Sequence, residues 1–400
     1  MSSYALAYPV CGNTAMKLWR IVESLKRSSA MYSVFIAISV LAFCLSTKNR
    51  TLDVAMLVVL FTTLLCIMGL RSQYVGADSL QYYLSFIELN NRSLDAALAT
   101  RYAAGYILFV RLVGLFTNSP YVFFFVSSFV TLSIYFLFLR KYSKNIFMSI
   151  IIFFCLNWTA FLVLTRQSLA CCCLLIGVPF LLNGRRITFA LFVLIAMQFH
   201  SSAVVGLAFI PLSQIELNLN KIIVFLVVAL VISFCLSLLW KIIPMLGVVN
   251  LYASYAGKEQ SLAGTSKLVD IIIKFLPAIV CITLGYLSNA SERSRANNFW
   301  TSLCLISACI KIIAMNSIIF ERLSEYFNIA YPLTVANFIF SDFFNQQTKR
   351  LSISVLFCIF CIALFTTVQI VRPNWMKITP YSPFWAPVNA YKLDSVRYFW

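Results

Sequence analysis

The chain has one histidine and only 13 acidic residues among its 400, and just 11% of it is charged. A single imidazole argues against a conventional zinc site, and the scattered carboxylates leave no acidic cluster to hold a divalent metal. Charge this sparse also excludes a water-soluble domain, which carries roughly 25% charged residues. What fills the chain is apolar: 61% of its residues are hydrophobic. They come in runs close to the ~20 residues that a bilayer crossing requires, one after another from residue 31 to 371. The first thirty residues carry Lys17, Arg20, Lys26 and Arg27 but lack a short apolar core with a small-residue cleavage site. A removable signal peptide is therefore not expected, and the first span is expected to act as an uncleaved insertion signal.

The net charge of +18 would suggest nucleic acid in a soluble protein. Here the basic residues sit mainly in short loops between apolar runs, where they set topology, and no nucleic-acid partner is expected. Most of the 13 cysteines fall inside apolar runs, among them Cys44, Cys66, Cys155, Cys281, Cys304, Cys309, Cys358 and Cys361, where cysteine serves as a small apolar filler. Cys171, Cys172 and Cys173 point three ways around a helix.

The pattern predicts an all-α polytopic membrane protein, a bundle of about 10–12 transmembrane helices with re-entrant or interfacial helices among them. Spans are expected near 31–46, 52–70, 120–139, 146–164, 168–183, 187–212, 222–243, 268–288, 299–320, 324–340 and 351–371. The domain reading is an N-terminal extension over 1–30, cytoplasmic or interfacial, a membrane domain over 31–371 with outward loops 71–104 and 244–267, and a polar tail over 372–400.

From residue 120 onward the basic residues keep one phase if Arg140, Lys141, Lys144, Arg185, Arg186, Arg293, Arg295, Lys349 and Arg350 are cytoplasmic. That phase requires 187–212 to be two half-crossings turning near His200 and Ser201. Arg166, His200 and Arg322 then share the outward face. Earlier the signal conflicts, because the basic residues before 28 compete with Lys48 and Arg50 across one span. The run 105–117 is short and holds Arg111, so it is read as a surface or re-entrant helix.

Four stretches could carry chemistry. RSQYVGADSLQYY opens the first long loop with Arg71, Gly76, Asp78, Tyr82 and Tyr83. Arginine forks onto phosphate oxygens and tyrosine stacks on sugar faces, but the same residues also serve as interface anchors, with Asp78 capping a helix. Arg166 and Gln167 enter an apolar run where a snorkelling arginine would also fit. FHSS places His200 on the outward side, as a proton-transfer group or as a packing element. FERLSEYF holds Glu321, Arg322, Glu325 and Tyr326. Its two glutamates share a helical face and either flank a cation or form a solvated edge. Deeper, Asp270 and Lys274 are spaced to neutralise each other, and Lys311 lacks a partner within a turn, which is a functional signal or an interhelix bond.

In order along the chain, R-x4-G-x-D-x3-YY at Arg71–Tyr83, AGY at 104–106, TRQSLA at 165–170, FHSSA at 199–203 and ER-x3-YF at 321–327 resemble the EpsG-like family of bacterial polysaccharide-assembly membrane proteins, related to Wzy-type polymerases. The resemblance covers roughly 50–345. It departs where the family often has an acidic residue and proline before the GY, here Ala103 and Ala104, and an isoleucine before the RQ, here Thr165. The resemblance implies a multi-pass protein of the bacterial cytoplasmic membrane, its site facing outward. There it would transfer a growing undecaprenyl-diphosphate-linked glycan onto the next lipid-linked repeat unit. It implies that Arg71, Arg166 and Arg322 hold the diphosphate, that Gln167, Tyr82, Tyr83 and Tyr326 line the substrate, and that His200 or Asp78 is the base. No cofactor and no metal are expected, while a chain-length regulator and a flippase are possible partners. The rival readings are a lipid-oligosaccharide flippase, which should show paired broken spans or repeat halves, and a non-catalytic scaffold. Loop 244–267, with Tyr252, Tyr255 and Lys258, is a candidate for selecting the acceptor sugar.

Overall fold

Apolar runs punctuated by Asn, Ser and Pro close into capped helices. The computed structural model describes residues 31–46, 49–242, 267–291, 294–314, 318–344, 346–371 and 376–386. Among these residues all regular structure is helical, apart from one isolated bridge between Arg71 and Pro383. Six helices are long and apolar enough to cross a membrane: α2 (Arg50–Gly69), α6 (Pro120–Tyr142), α9 (Thr165–Leu182), α12 (Leu219–Ile242), α14 (Arg295–Ile313) and α17 (Gln347–Val371). Their starts follow local chemistry. Asn49 caps α2 through its side-chain oxygen, which accepts from Thr51 and Leu52 N–H, and Pro120 occupies the first turn of α6, where its missing N–H costs no bond.

The end of the bundle that carries Arg71 and Asp78 is called upper here, and the end that carries Arg140, Lys141 and Arg350 lower. Helix α1 (Met31–Leu45) starts at the upper end, where the Tyr32 hydroxyl donates to the Ile378 carbonyl at 2.7 Å, and ends beside Phe340, whose ring lies 6.4 Å from Phe43. The Met31 end of α1 thus lies on the same side as Asp78. Residues 1–30 and most of loop 244–267, with Tyr252, Tyr255 and Lys258, lie outside the described residues.

Two expected crossings are broken helices. α7 (Ile146–Leu156) stops at Asn157, and α8 (Trp158–Val163) carries the chain on to α9. α15 (Ile318–Asn328) gives way to α16 (Tyr331–Ile339) ahead of Pro332. The breaks meet where the Asn157 amide donates to the Asn328 carbonyl at 2.9 Å. Irregular backbone survives at membrane depth only when protein groups satisfy it. Here Lys311 is part of the answer: its ammonium donates to the Tyr331 hydroxyl at 3.0 Å, that hydroxyl pairs with Ser307 at 2.7 Å, and Ser307 donates to the Asn328 side chain. Lys311, read as partnerless along its own helix, is an interhelix tie.

The segment 187–212 turns back as its charge phase required. α10 (Arg186–Met197) rises to His200, and a 3-10 helix (Ser201–Ala208) with α11 (Phe209–Leu212) descends, so that Phe209 returns to stack on Phe189 at 5.9 Å. α5 (Ala104–Gly114) does not cross. It lies along α3 (Ser79–Asn91), with the Tyr106 hydroxyl 3.0 Å from Ser85 and Gly114 against Asn90, and it leaves Leu108, Leu112, Leu115 and Phe116 exposed. Its buried face joins Tyr82, Phe86, Phe123 and Phe124 in a small core of its own beneath the upper end.

Candidate functional site

The upper cluster begins with Arg166, in the first turn of α9 just after α8 ends. Its guanidinium lies among three tyrosine rings, with centroids 5.1 Å away for Tyr102, 5.8 Å for Tyr106 and 6.0 Å for Tyr82. Among the described residues no carboxylate forms an ion pair with it, and its Nε is buried without a hydrogen-bond partner. A half-buried cation held by ring faces instead of a carboxylate keeps its charge available for an incoming anion. The cage depends on a close approach: a Cβ on Gly105 would sit 2.8 Å from both Cβ and the main-chain oxygen of Gln198, so glycine there lets α5 reach the His200 turn. The Tyr106 N–H then donates to the Gln198 carbonyl at 3.0 Å.

His200 occupies that turn. Its Nδ1 lies 2.6 Å from the Ser202 hydroxyl, which is 3.0 Å from the Tyr326 hydroxyl of α15. Burial, then the positive charges of Arg166 and Arg322, lower the His200 pKa to about 4, so the imidazole is neutral at pH 7. Gln167 donates to the main-chain oxygen of Arg322 at 2.6 Å, and the Arg322 guanidinium reaches Asp78 at 3.3 Å. Asp78 holds the N-cap position of α3 yet makes no side-chain cap bond there. The pair is open to solvent, with Arg322 52% and Asp78 21% exposed.

The structure thus brings Arg166, His200, Arg322, Asp78, Tyr82 and Tyr326 into one cluster. It separates two of the expected site residues from it. Arg71 is 1% exposed, and its guanidinium donates to Ser79 at 3.3 Å, to the Leu162 carbonyl at 3.1 Å and to the Met68 carbonyl, while lying over the Phe124 ring. Its donors tie the end of α2 to α3 and α8, so the diphosphate contact expected of it is replaced by a structural one. Tyr83 points about 100° around α3 from Tyr82 and packs on Tyr121 at 5.4 Å. Gln167 serves Arg322 rather than the cleft. Tyr82 and Tyr326 are 3% and 0% exposed, too buried to stack on a sugar as they stand. They line the arginine and the imidazole.

Sequence reading missed Tyr102, Tyr106 and Ser202. Tyr106 was visible as the last residue of the AGY stretch, and Ser202 as the second serine of FHSS. For Tyr102 only its nearness to that stretch could have helped.

α15 has a second polar face. Glu321 pairs with Lys274 of α13 (Lys267–Ser291) at 2.8 Å. With Glu325, Lys311, Asn328 and Tyr331 they line a cavity of about 90 Å³. The shared face of Glu321 and Glu325 therefore meets the ammonium groups of Lys274 and Lys311. The Asp270 side chain, expected to neutralise Lys274, lies outside the described residues. Among the described residues no group of three His, Cys, Asp or Glu side chains is arranged to hold a metal.

No curated protein and no solved structure matches the chain. The EpsG family matches residues 54–382, a stretch that runs from α2 through every element of the cluster to the segment after α17. On that match over most of its length, the chain, a multi-pass membrane protein, belongs to the EpsG family of polysaccharide-assembly membrane proteins.

Proposed function

We propose that the protein is a repeat-unit polymerase, transferring a glycan from its undecaprenyl diphosphate carrier onto a hydroxyl of the next lipid-linked oligosaccharide. The observation that carries this reading is Arg166, a caged arginine with no carboxylate partner among the described residues, gathered with the neutral His200 and the half-exposed Arg322. In such a transfer the bond from the anomeric carbon to the diphosphate oxygen breaks, and a bond from that carbon to the acceptor oxygen forms. The departing diphosphate gains negative charge, which two arginines are suited to stabilise in place of a metal. The acceptor hydroxyl gives its proton to a base.

His200 suits that role better than Asp78. In the tautomer this role requires, Nδ1–H donates to the Ser202 hydroxyl and Nε2 is the nitrogen left to take the proton. Its low pKa comes partly from the two arginines. A bound diphosphate would offset their charge and raise the imidazole's basicity when substrate is present. Asp78, facing Arg322, would act as an electrostatic partner of the diphosphate site. The basic residues at the lower end support a cytoplasmic lower face, with the cluster opening outward from the bacterial inner membrane. A flippase that delivers the units and a separate chain-length regulator would complete the pathway.

The test is the surface-polysaccharide ladder of a deletion strain complemented at equal membrane abundance with wild type, Arg166→Ala or His200→Ala. A polymerase variant that has lost its site leaves single repeat units on carrier and product. A flippase defect exports no unit, and a scaffold defect lowers yield without stopping extension. A normal ladder from both variants would sink the proposal.

A further inference from the structure

The polar segment after the last span returns to the cluster. Residues 376–386 run beside the loop between α2 and α3 and bond to it along its length. Ala77 N–H donates to Met376 O at 3.0 Å, Gly76 N–H to Lys377 O at 2.9 Å, Ser72 N–H to Ser382 O at 2.9 Å, and Phe384 N–H to Leu70 O at 2.9 Å. The hydroxyls of Ser72 and Ser382 lie 2.8 Å apart, and the Phe384 ring packs on Tyr121 at 5.0 Å. α1 holds the segment from the other side through Tyr32 and the Ile378 carbonyl. Both backbones bend to make the fit, with Gly76 at φ 102° and Lys377 at φ 50°.

The last two of the loop's residues, Gly76 and Ala77, immediately precede Asp78. Within the loop itself the described main-chain bonds are few: Val75 N–H to Ser72 O and Ser79 N–H to Gly76 O. The contact of Asp78 with Arg322 is a half-exposed pair at 3.3 Å, and such pairs contribute little to stability. That is too little to hold the loop in place. Arg71 ties its start to α3 and α8, and the hydroxyls of Ser79 and Tyr121 donate to Val75 O and to the Gln73 side chain. The peptide just ahead of Asp78 is held by the main-chain bonds of Gly76 and Ala77 to a segment some 300 residues away in sequence.

We propose that residues 376–386 form a positioning strap of the candidate site, fixing the peptide ahead of Asp78 and so setting that carboxylate against Arg322. The proposal rests on the reading of the cluster as a diphosphate site. In the empty site Asp78 offsets part of the Arg322 charge, so it competes with an incoming anion, and a loosened strap has the same effect as removing the carboxylate.

The experiment measures affinity for inorganic diphosphate by calorimetry on the purified full-length protein. Asp78→Asn should tighten binding about threefold, the scale of a half-exposed ion pair. Lys377→Val places a β-branched residue at a left-handed φ and should loosen the strap, tightening binding by the same factor. Lys377→Gly relaxes that backbone while losing the same ammonium, so it is the reference against which the Lys377→Val shift is read. The double variant Asp78→Asn/Lys377→Val should bind no tighter than either single one. An affinity unchanged in Lys377→Val while Asp78→Asn shifts, or effects that add in the double variant, would overturn the strap's role and leave it as packing. If Lys377→Val does not fold, Ser72→Ala with Ser382→Ala removes only the hydroxyl pair and runs the same cycle. Equal diphosphate binding by wild type and Arg166→Gln, or none by either, is a different signature: the anion-site reading fails and the strap's role falls with it.

Discussion

Arg71 and Arg166 both reach α3, at Ser79 and Tyr82, yet their alanine variants should fail in opposite ways. Arg166 makes no ion pair among the described residues and is surrounded by rings, so its removal strands no buried carboxylate. Folding should lose only the ring contacts, about 0.5–2 kcal/mol. If its fork makes one or two charge-assisted bonds to the departing diphosphate, each contributing about 1.5–3 kcal/mol, turnover should fall at least about tenfold and up to roughly twenty-thousandfold. Arg71→Ala leaves two main-chain carbonyls and the Ser79 hydroxyl without a donor in a buried place. At about 1–3 kcal/mol each, that approaches the whole stability of a typical domain, about 5–15 kcal/mol. Immunoblotting of membranes beside a polysaccharide ladder reads both quantities. The expected result is normal abundance with single repeat units for Arg166→Ala, and scarce protein for Arg71→Ala. Abundant, folded Arg71→Ala that makes no polymer would refute the reasoning and return Arg71 to the site.

Three further outcomes are expected. The folded pKa of His200, about 4, lies below the unfolded value near 6.5, so between those values the unfolded chain binds more protons. Stability is therefore full above pH 6.5 and declines as pH falls toward 4; the melting temperature in detergent should show this decline, and His200→Gln should flatten it. Lys274→Met leaves Glu321 buried without its 2.8 Å partner and should destabilise by about 3–5 kcal/mol, much of it recovered in Lys274→Met/Glu321→Gln; a double-variant cycle on melting temperature checks it, and additive losses would contradict it. Gly105→Ala pushes a methyl against Gln198 main chain and should cost about 1–3 kcal/mol while shortening the ladder, because α5 moves away with Tyr106; a ladder of wild-type length would show that the cage tolerates the shift.

How much of this was legible in the sequence differs from residue to residue. Apolar runs and basic loops located the crossings, and the charge phase alone demanded that 187–212 turn back at His200, as it does. What the phase could not show was that the crossings ending at 164 and 340 are each broken, since an apolar run reads the same whether or not Asn157 or Asn328 interrupts its ladder. The motif order pointed to Arg166, His200 and Arg322. It could not show where Arg71 points, because its spacing from Asp78 is the same whether its guanidinium faces a cleft or the ends of three helices; only the positions of Leu162 and Met68 decide that. The part that Tyr102 and Tyr106 play around Arg166 was hidden for a related reason. An aromatic near a glycine carries no sign of which cation it will meet.

Along α15, neighbouring residues answer to different surroundings. Arg322 and Tyr326 belong to the cluster, while Glu321 and Glu325 turn toward Lys274 and Lys311. Each residue advances a helix by about 100°, so inserting one residue ahead of this stretch would turn the carboxylates into the cleft meant for an anion, while deleting one would turn Arg322 toward Lys274 and Lys311. The register of one short helix therefore protects folding and chemistry at once, and substitutions along it should alternate between loss of protein and loss of polymer with the period of the helix.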